Sequence, residues 1–182
     1  MSAPDPPHAP GSGPTGGSAH APDAHAPDAH APDAPNAPAP EGVRALDHTA
    51  DVGLVVDAPD LPALFTRAAL GMEWLLGENI EAVTRMGRGP ARAGDVDITL
   101  YAPELPVLLA DWLRELLYLR QVRGRRFESA RFQELSGTAL LARIRLAPAG
   151  EPVREIKGVT YHGLEADRAP GGGWRARVIM DV

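Results

Sequence analysis

The chain closes on two carboxyl groups, Asp181 and then Val182, after the alternating run Trp174-Arg175-Ala176-Arg177-Val178-Ile179-Met180. Packing alone poorly explains an apolar strand that ends on oxygen anions, and hard cations such as calcium and magnesium take oxygen ligands of this kind. Asp181 and the expected terminal carboxylate of Val182 therefore read as half of a cation site. The other half needs an acid held near a turn far upstream. Asp51 offers one, within Asp47-His48-Thr49-Ala50-Asp51-Val52-Gly53. Taken by itself, a short acid in that setting is more often a turn cap.

Lys157 is the second residue of chemical interest, because it is the only lysine in a chain that otherwise uses arginine. It sits in Lys157-Gly158-Val159-Thr160-Tyr161-His162-Gly163, where a compact ammonium on a flexible stem would suit a phosphate or an acidic group. His48 and His162 could supply two nitrogen ligands to zinc, with Asp51 or Asp181 as a third, although a lone histidine is more often a hydrogen-bonded core residue. Asp111 and Glu115 lie four apart at helical spacing, which could pair a general acid with a general base, yet solvated surface acids are far commoner. Gly171-Gly172-Gly173 lacks the spacing and following helix of a phosphate loop and reads as a hairpin turn. With no cysteine, disulfides, thiolate zinc sites and cysteine nucleophiles are excluded.

These residues need a scaffold. Val43 to Asp47 and Val52 to Asp57 read as strands on either side of the turn that holds Asp51. Asp60 can cap a helix whose Leu61, Leu64, Phe65, Ala68, Met72 and Leu75 or Leu76 share one face, with Gly77 as its stop. Ile80 to Met86 and Val96 to Tyr101 read as strands. A second helix is expected from Pro103-Glu104, carrying Leu105, Leu108, Leu109, Trp112, Leu116 and Leu119 on one stripe. Arg120, Arg123, Arg125 and Arg126 follow it as a solvated helix end favoured by the helix dipole. Phe127 to Leu135, Leu140 to Leu146, Val153 to His162 and Trp174 to Met180 complete the strands, the last two joined across the glycine turn. The order predicts an α+β fold, two helices on a largely antiparallel sheet, and suggests two similar strand-helix-strand-strand halves.

Residues 1 to 42 carry no Lys or Arg and repeat HAPDA at His20, His25 and His30. Such a segment cannot bury enough apolar surface to offset its ordering entropy, so a disordered tail is expected ahead of one domain over 43–182. Its four histidines (His8, His20, His25, His30) could collect transition metals only weakly. The tail holds Asp5, Asp23, Asp28, Asp33 and Glu41; taking those five from 24 acids leaves 19 against 18 bases. A near-neutral domain argues against direct gripping of RNA, which needs a clustered basic excess. The N-terminus shows no signal-peptide pattern and no apolar run reaches the roughly 20 residues of a membrane span, so a cytoplasmic protein is expected.

LDHTADVGL, the DWLRELLYL helix, KGVTYHGLE and the closing WRARVIMDV together resemble the archease family over residues 44–182. The resemblance implies an accessory protein rather than an enzyme, with no catalytic residue of its own. Archeases assist the RtcB-type RNA ligase of tRNA splicing and RNA repair, promoting its GTP-dependent guanylylation and multiple turnover. The family's metal site corresponds to Asp51, Asp181 and Val182, with calcium expected and magnesium as the alternative; its important lysine corresponds to Lys157. GTP would be used by the ligase and not bound here, RNA would be met only indirectly, and the protein would act as a monomer. The other functions considered are a chaperone-like modulator of another RNA-processing enzyme and a metal-dependent hydrolase.

Overall fold

The structure is a computed structural model that describes residues 1–2, 37–47, 51–81 and 94–182. Among these residues, eight strands and two long helices follow in the order β1 (Val43–Asp47), β2 (Asp51–Ala58), α1 (Leu61–Leu75), β3 (Val96–Tyr101), α2 (Leu105–Arg123), β4 (Arg125–Leu135), β5 (Ala139–Pro148), β6 (Gly158–Val159), β7 (Glu165–Arg168) and β8 (Trp174–Asp181). The α+β class holds, but the strands divide into two antiparallel sheets. One has the order β1-β2-β8-β6 with β7 also on β8, and the other has the order β3-β5-β4. The stretch β3-α2-β4-β5 follows the strand-helix-strand-strand order. A counterpart around α1 would involve residues 82–93, which lie outside the described residues.

Alternation decides which face of the larger sheet meets the helices. Val52, Leu54 and Val56 of β2 and Ala176, Val178 and Met180 of β8 are buried, leaving Asp51 and Asp181 on the opposite face. Helix α1 begins as its sequence dictates: the Asp60 side chain accepts from the Ala63 amide at 2.8 Å. It then packs so closely that a Cβ on Gly71 would lie 3.0 Å from Val43 and 3.1 Å from Leu54. Helix α2 has Pro106, not Pro103, in its first turn and stops at Gly124 in the left-handed conformation (φ 60°). Trp112 joins the layers: its indole N–H donates to Phe65 O at 3.1 Å, and its ring meets Phe127 edge-on at a centroid distance of 5.9 Å.

Three expectations about elements change. Val153 to His162 is not one strand: only Gly158 and Val159 pair with β8, at Asp181 and Met180. That segment is held instead by irregular bonds such as Val153 N–H to Leu76 O at 3.1 Å. The glycine turn therefore joins β7, not this stretch, to β8, with Gly172 and Gly173 at φ 90° and 75°. Ile80 and Glu81 are helical rather than the start of a strand, and the rest of that expected strand lies outside the described residues.

Residues just ahead of the expected boundary at Val43 also bond to the domain. The Trp74 indole donates to Ala37 O at 2.7 Å, Arg67 binds Glu41 at 2.6 Å, and the Asp57 amide donates to Gly42 O at 2.8 Å. Ala37 to Gly42 thus belong to the packed domain, whereas residues 3–36 lie outside the described residues. A chain beginning at Val43 is expected to be about 1–3 kcal/mol less stable than one beginning at Pro35, since the largely buried indole N–H loses its acceptor. Urea denaturation of the two chains measures this, and equal midpoints would refute it.

Candidate functional site

Asp51 opens β2 and Asp181 closes β8, and the register sets them directly opposite one another. Directly opposed side chains share a face with Cβ atoms about 5 Å apart, and like charges there repel. Among the described residues neither carboxylate has an ion-pair partner. On the other side of β8, Gly158 pairs with Asp181, which brings the lysine to the same end of the sheet. The Lys157 amide donates to Asp181 O at 2.8 Å, and its ammonium donates to the Val182 main-chain oxygen at 3.0 Å.

The four residues are thus gathered at one end of β8, but in two pairs. The carboxylates of Asp51 and Asp181 share the face away from the helices. Lys157 lines an open groove of about 780 Å³ beside Leu117 and Gln121 of α2. Val182 packs against the core on that same side. Asp181 and Lys157 are exposed, and Asp51 and Val182 are half-buried.

Of the two histidines considered as zinc ligands, only one is described. His162 is exposed in the turn after β6, and His48 lies outside the described residues. Among the described residues no group of three or more His, Cys, Asp or Glu side chains could hold a metal ion. Asp111 is not a simple solvated acid either: it accepts from Arg114 at 3.2 Å and from the Tyr161 hydroxyl at 3.4 Å.

The arginines in the last turn of α2 and just after it depart furthest from expectation. Arg120 and Arg126 are buried, with Arg120 bound to Glu73, to Glu78 at 3.0 Å and to Gly150 O at 3.2 Å. Glu73 is fully buried and also accepts from the Phe127 amide at 2.8 Å. Burial pushes its carboxyl up to about 7, the nearby Arg120 charge and the Phe127 bond opposing the rise. Glu73 was missed because it stands on the apolar side of α1 and its partner is 47 residues away.

A profile of the Archease protein family (MTH1598/TM1083) matches residues 44–182. The chain belongs to the archease family. It is 33% identical to the Methanosarcina mazei protein archease over 145 residues, 75% of this chain and 93% of that one. The Pyrococcus furiosus protein archease is 27% identical over 143 residues, 75% and 95% of the two chains. The solution structure of Methanobacterium thermoautotrophicum protein 1598 superposes with a TM-score of 0.54 at 28% identity, covering 78% of this chain and 99% of that one. No helix among the described residues is long and apolar enough to cross a membrane.

Proposed function

We propose that this archease is the activator of an RtcB-type RNA ligase, not itself an enzyme, and that the end of β8 is the part that works on the partner. The observation that carries this reading is the convergence of Asp51, Lys157 and the Asp181-Val182 pair on one sheet end from three separate parts of the sequence. Two opposed carboxylates without a cationic partner among the described residues fit a hard divalent ion in kind, calcium first and magnesium second. Asp51 and Asp181 would hold it, with the Val182 carboxyl group nearby and main-chain oxygens and water making up the rest. Such an ion supplies positive charge that attracts phosphate oxygens.

The chain's own contribution is positioning. The β2-β8 ladder fixes the two carboxylates, and the bond from the Lys157 amide to Asp181 O fixes the lysine backbone beside them. The Lys157 ammonium, exposed and among the described residues tethered only to Val182 O, can swing to a phosphate or carboxylate of the partner. GTP and RNA would remain on the ligase, in keeping with a domain of nearly balanced charge.

With substoichiometric ligase, GTP and RNA carrying 2′,3′-cyclic phosphate and 5′-hydroxyl ends, the wild-type chain is expected to convert one turnover into many. Lys157→Ala and Asp51→Ala should stay folded and lose most of that stimulation, roughly 10-fold or more for a charge acting on developing phosphate charge. Unchanged guanylylation and turnover with the wild-type chain, or full stimulation by both variants, would point to a different client.

A further inference from the structure

We propose that Arg114 and Gln121 of α2 are positioning residues for Lys157, gripping the main chain on both sides of it; this rests on the ligase-activating reading above. Gln121 donates from Nε2 to Ile156 O at 2.8 Å, immediately before the lysine. Arg114 donates from Nε and Nη2 to Val159 O at 3.0 and 2.7 Å, two residues after it. The two side chains are seven residues apart, two helical turns, so they project from one face of α2.

The segment needs such a grip. Strand β6 has only two residues, and a ladder that short has little stability of its own. Lys157 lies just outside it, between the two gripped carbonyls, at the edge of the groove that Gln121 and Ile156 also line. Ile156 and Val159 are buried, so their carbonyls are held near α2 while the intervening lysine side chain stays exposed.

Arg114 is itself held in place. Its guanidinium carbon lies 3.9 Å from the centre of the Tyr161 ring, and Asp111 accepts from both Arg114 and the tyrosine hydroxyl. A bidentate fork onto one carbonyl, stacked on an aromatic ring, is geometry that lysine cannot reproduce. A lysine stem has four rotatable bonds, so an ammonium 3.0 Å from Val182 O is well placed only while the Lys157 backbone is fixed.

The single lysine makes a direct test possible, because selective ¹⁵N-lysine labelling gives one amide resonance, that of the Lys157 N–H bonded to Asp181 O. In Arg114→Met and Gln121→Met that amide is expected to exchange with solvent about 10-fold faster or more, while the global urea midpoint moves far less. Arg114→Lys, which keeps one donor, should fall between. In the ligase assay both methionine variants should lower maximal stimulation without raising the half-saturating concentration of activator. Neither should cause further loss in a Lys157→Ala background, since a residue acting through Lys157 has nothing left to position. Unchanged Lys157 exchange, full stimulation despite faster exchange, or an additive loss with Lys157→Ala would each overturn the assignment. If the wild-type chain fails to stimulate the ligase at all, the ligase reading falls, and the exchange rates alone still decide whether α2 holds the segment.

Discussion

Replacing Arg120 with methionine is expected to destabilise the protein by about 3–5 kcal/mol at pH 8, because it leaves a fully buried carboxylate without its cation. The loss should shrink as the pH is lowered. Glu73 has its carboxyl raised to about 7 by burial, so it takes up a proton in the folded chain well before it would in the unfolded one. Between the ordinary 4.5 and about 7 the folded state holds more protons, and the contribution of Glu73 to stability falls as pH rises through that window. That contribution is fully present below 4.5 and absent above about 7. Without Arg120 the carboxyl would rise further, so the variant should lose stability across a wider range on the alkaline side.

A second substitution separates charge from packing. Glu73→Gln keeps an oxygen for the Phe127 amide and removes the buried negative charge, so it should recover much of the stability lost in Arg120→Met. What remains is the loss of the arginine's bonds to Glu78 and Gly150. Urea midpoints at pH 5 and pH 8 for the single and double variants measure this. Equal costs at both pH values, or no rescue by Glu73→Gln, would show that packing rather than the buried charge dominates.

This cluster marks where a linear reading stops. The helices were legible because Leu64, Phe65, Ala68 and Met72, and likewise Leu108, Leu109, Trp112 and Leu116, repeat at helical spacing and are buried together. Strands β2 and β8 were legible by alternation, and with them the meeting of Asp51 and Asp181, since each acid ends an apolar run. Arg120 looked like a helix-end charge because nothing local reveals a glutamate 47 residues earlier. Strand β7 was missed because only Ala166 of its four residues is buried, which leaves no apolar period to detect. Ala37 to Gly42 resemble the tail before them in composition, yet their backbone oxygens satisfy Trp74 and the Asp57 amide. The grip of Arg114 on Val159 O was hidden for the same reason: a side chain bonded to a distant carbonyl leaves no trace in spacing.

Neutralising one of the two opposed acids is expected to have opposite effects with and without a divalent ion. In a chelator, Asp181→Asn should leave the protein as stable as wild type or slightly more so, because like charges set directly opposite across a ladder repel. Asparagine keeps the size of the side chain, and the main-chain carbonyl that receives the Lys157 amide is untouched. Calcium at about 100 times its dissociation constant should stabilise the wild-type chain by ~2.7 kcal/mol through mass action. For a domain of this size that corresponds to a rise in Tm of roughly 5–10 °C. Asp181→Asn and Asp51→Asn should each lose most of that rise, whereas Asp57→Asn should keep it, since Asp57 lies at the far end of β2 and its carboxyl is lowered by its bonds to Arg175 and Arg44. Magnesium in place of calcium should give a smaller shift, because it demands stricter octahedral geometry and dehydrates reluctantly. A wild-type Tm that calcium leaves unchanged, or an equal rise in Asp181→Asn, would remove the cation from this site and leave two carboxylates whose repulsion the fold tolerates without one.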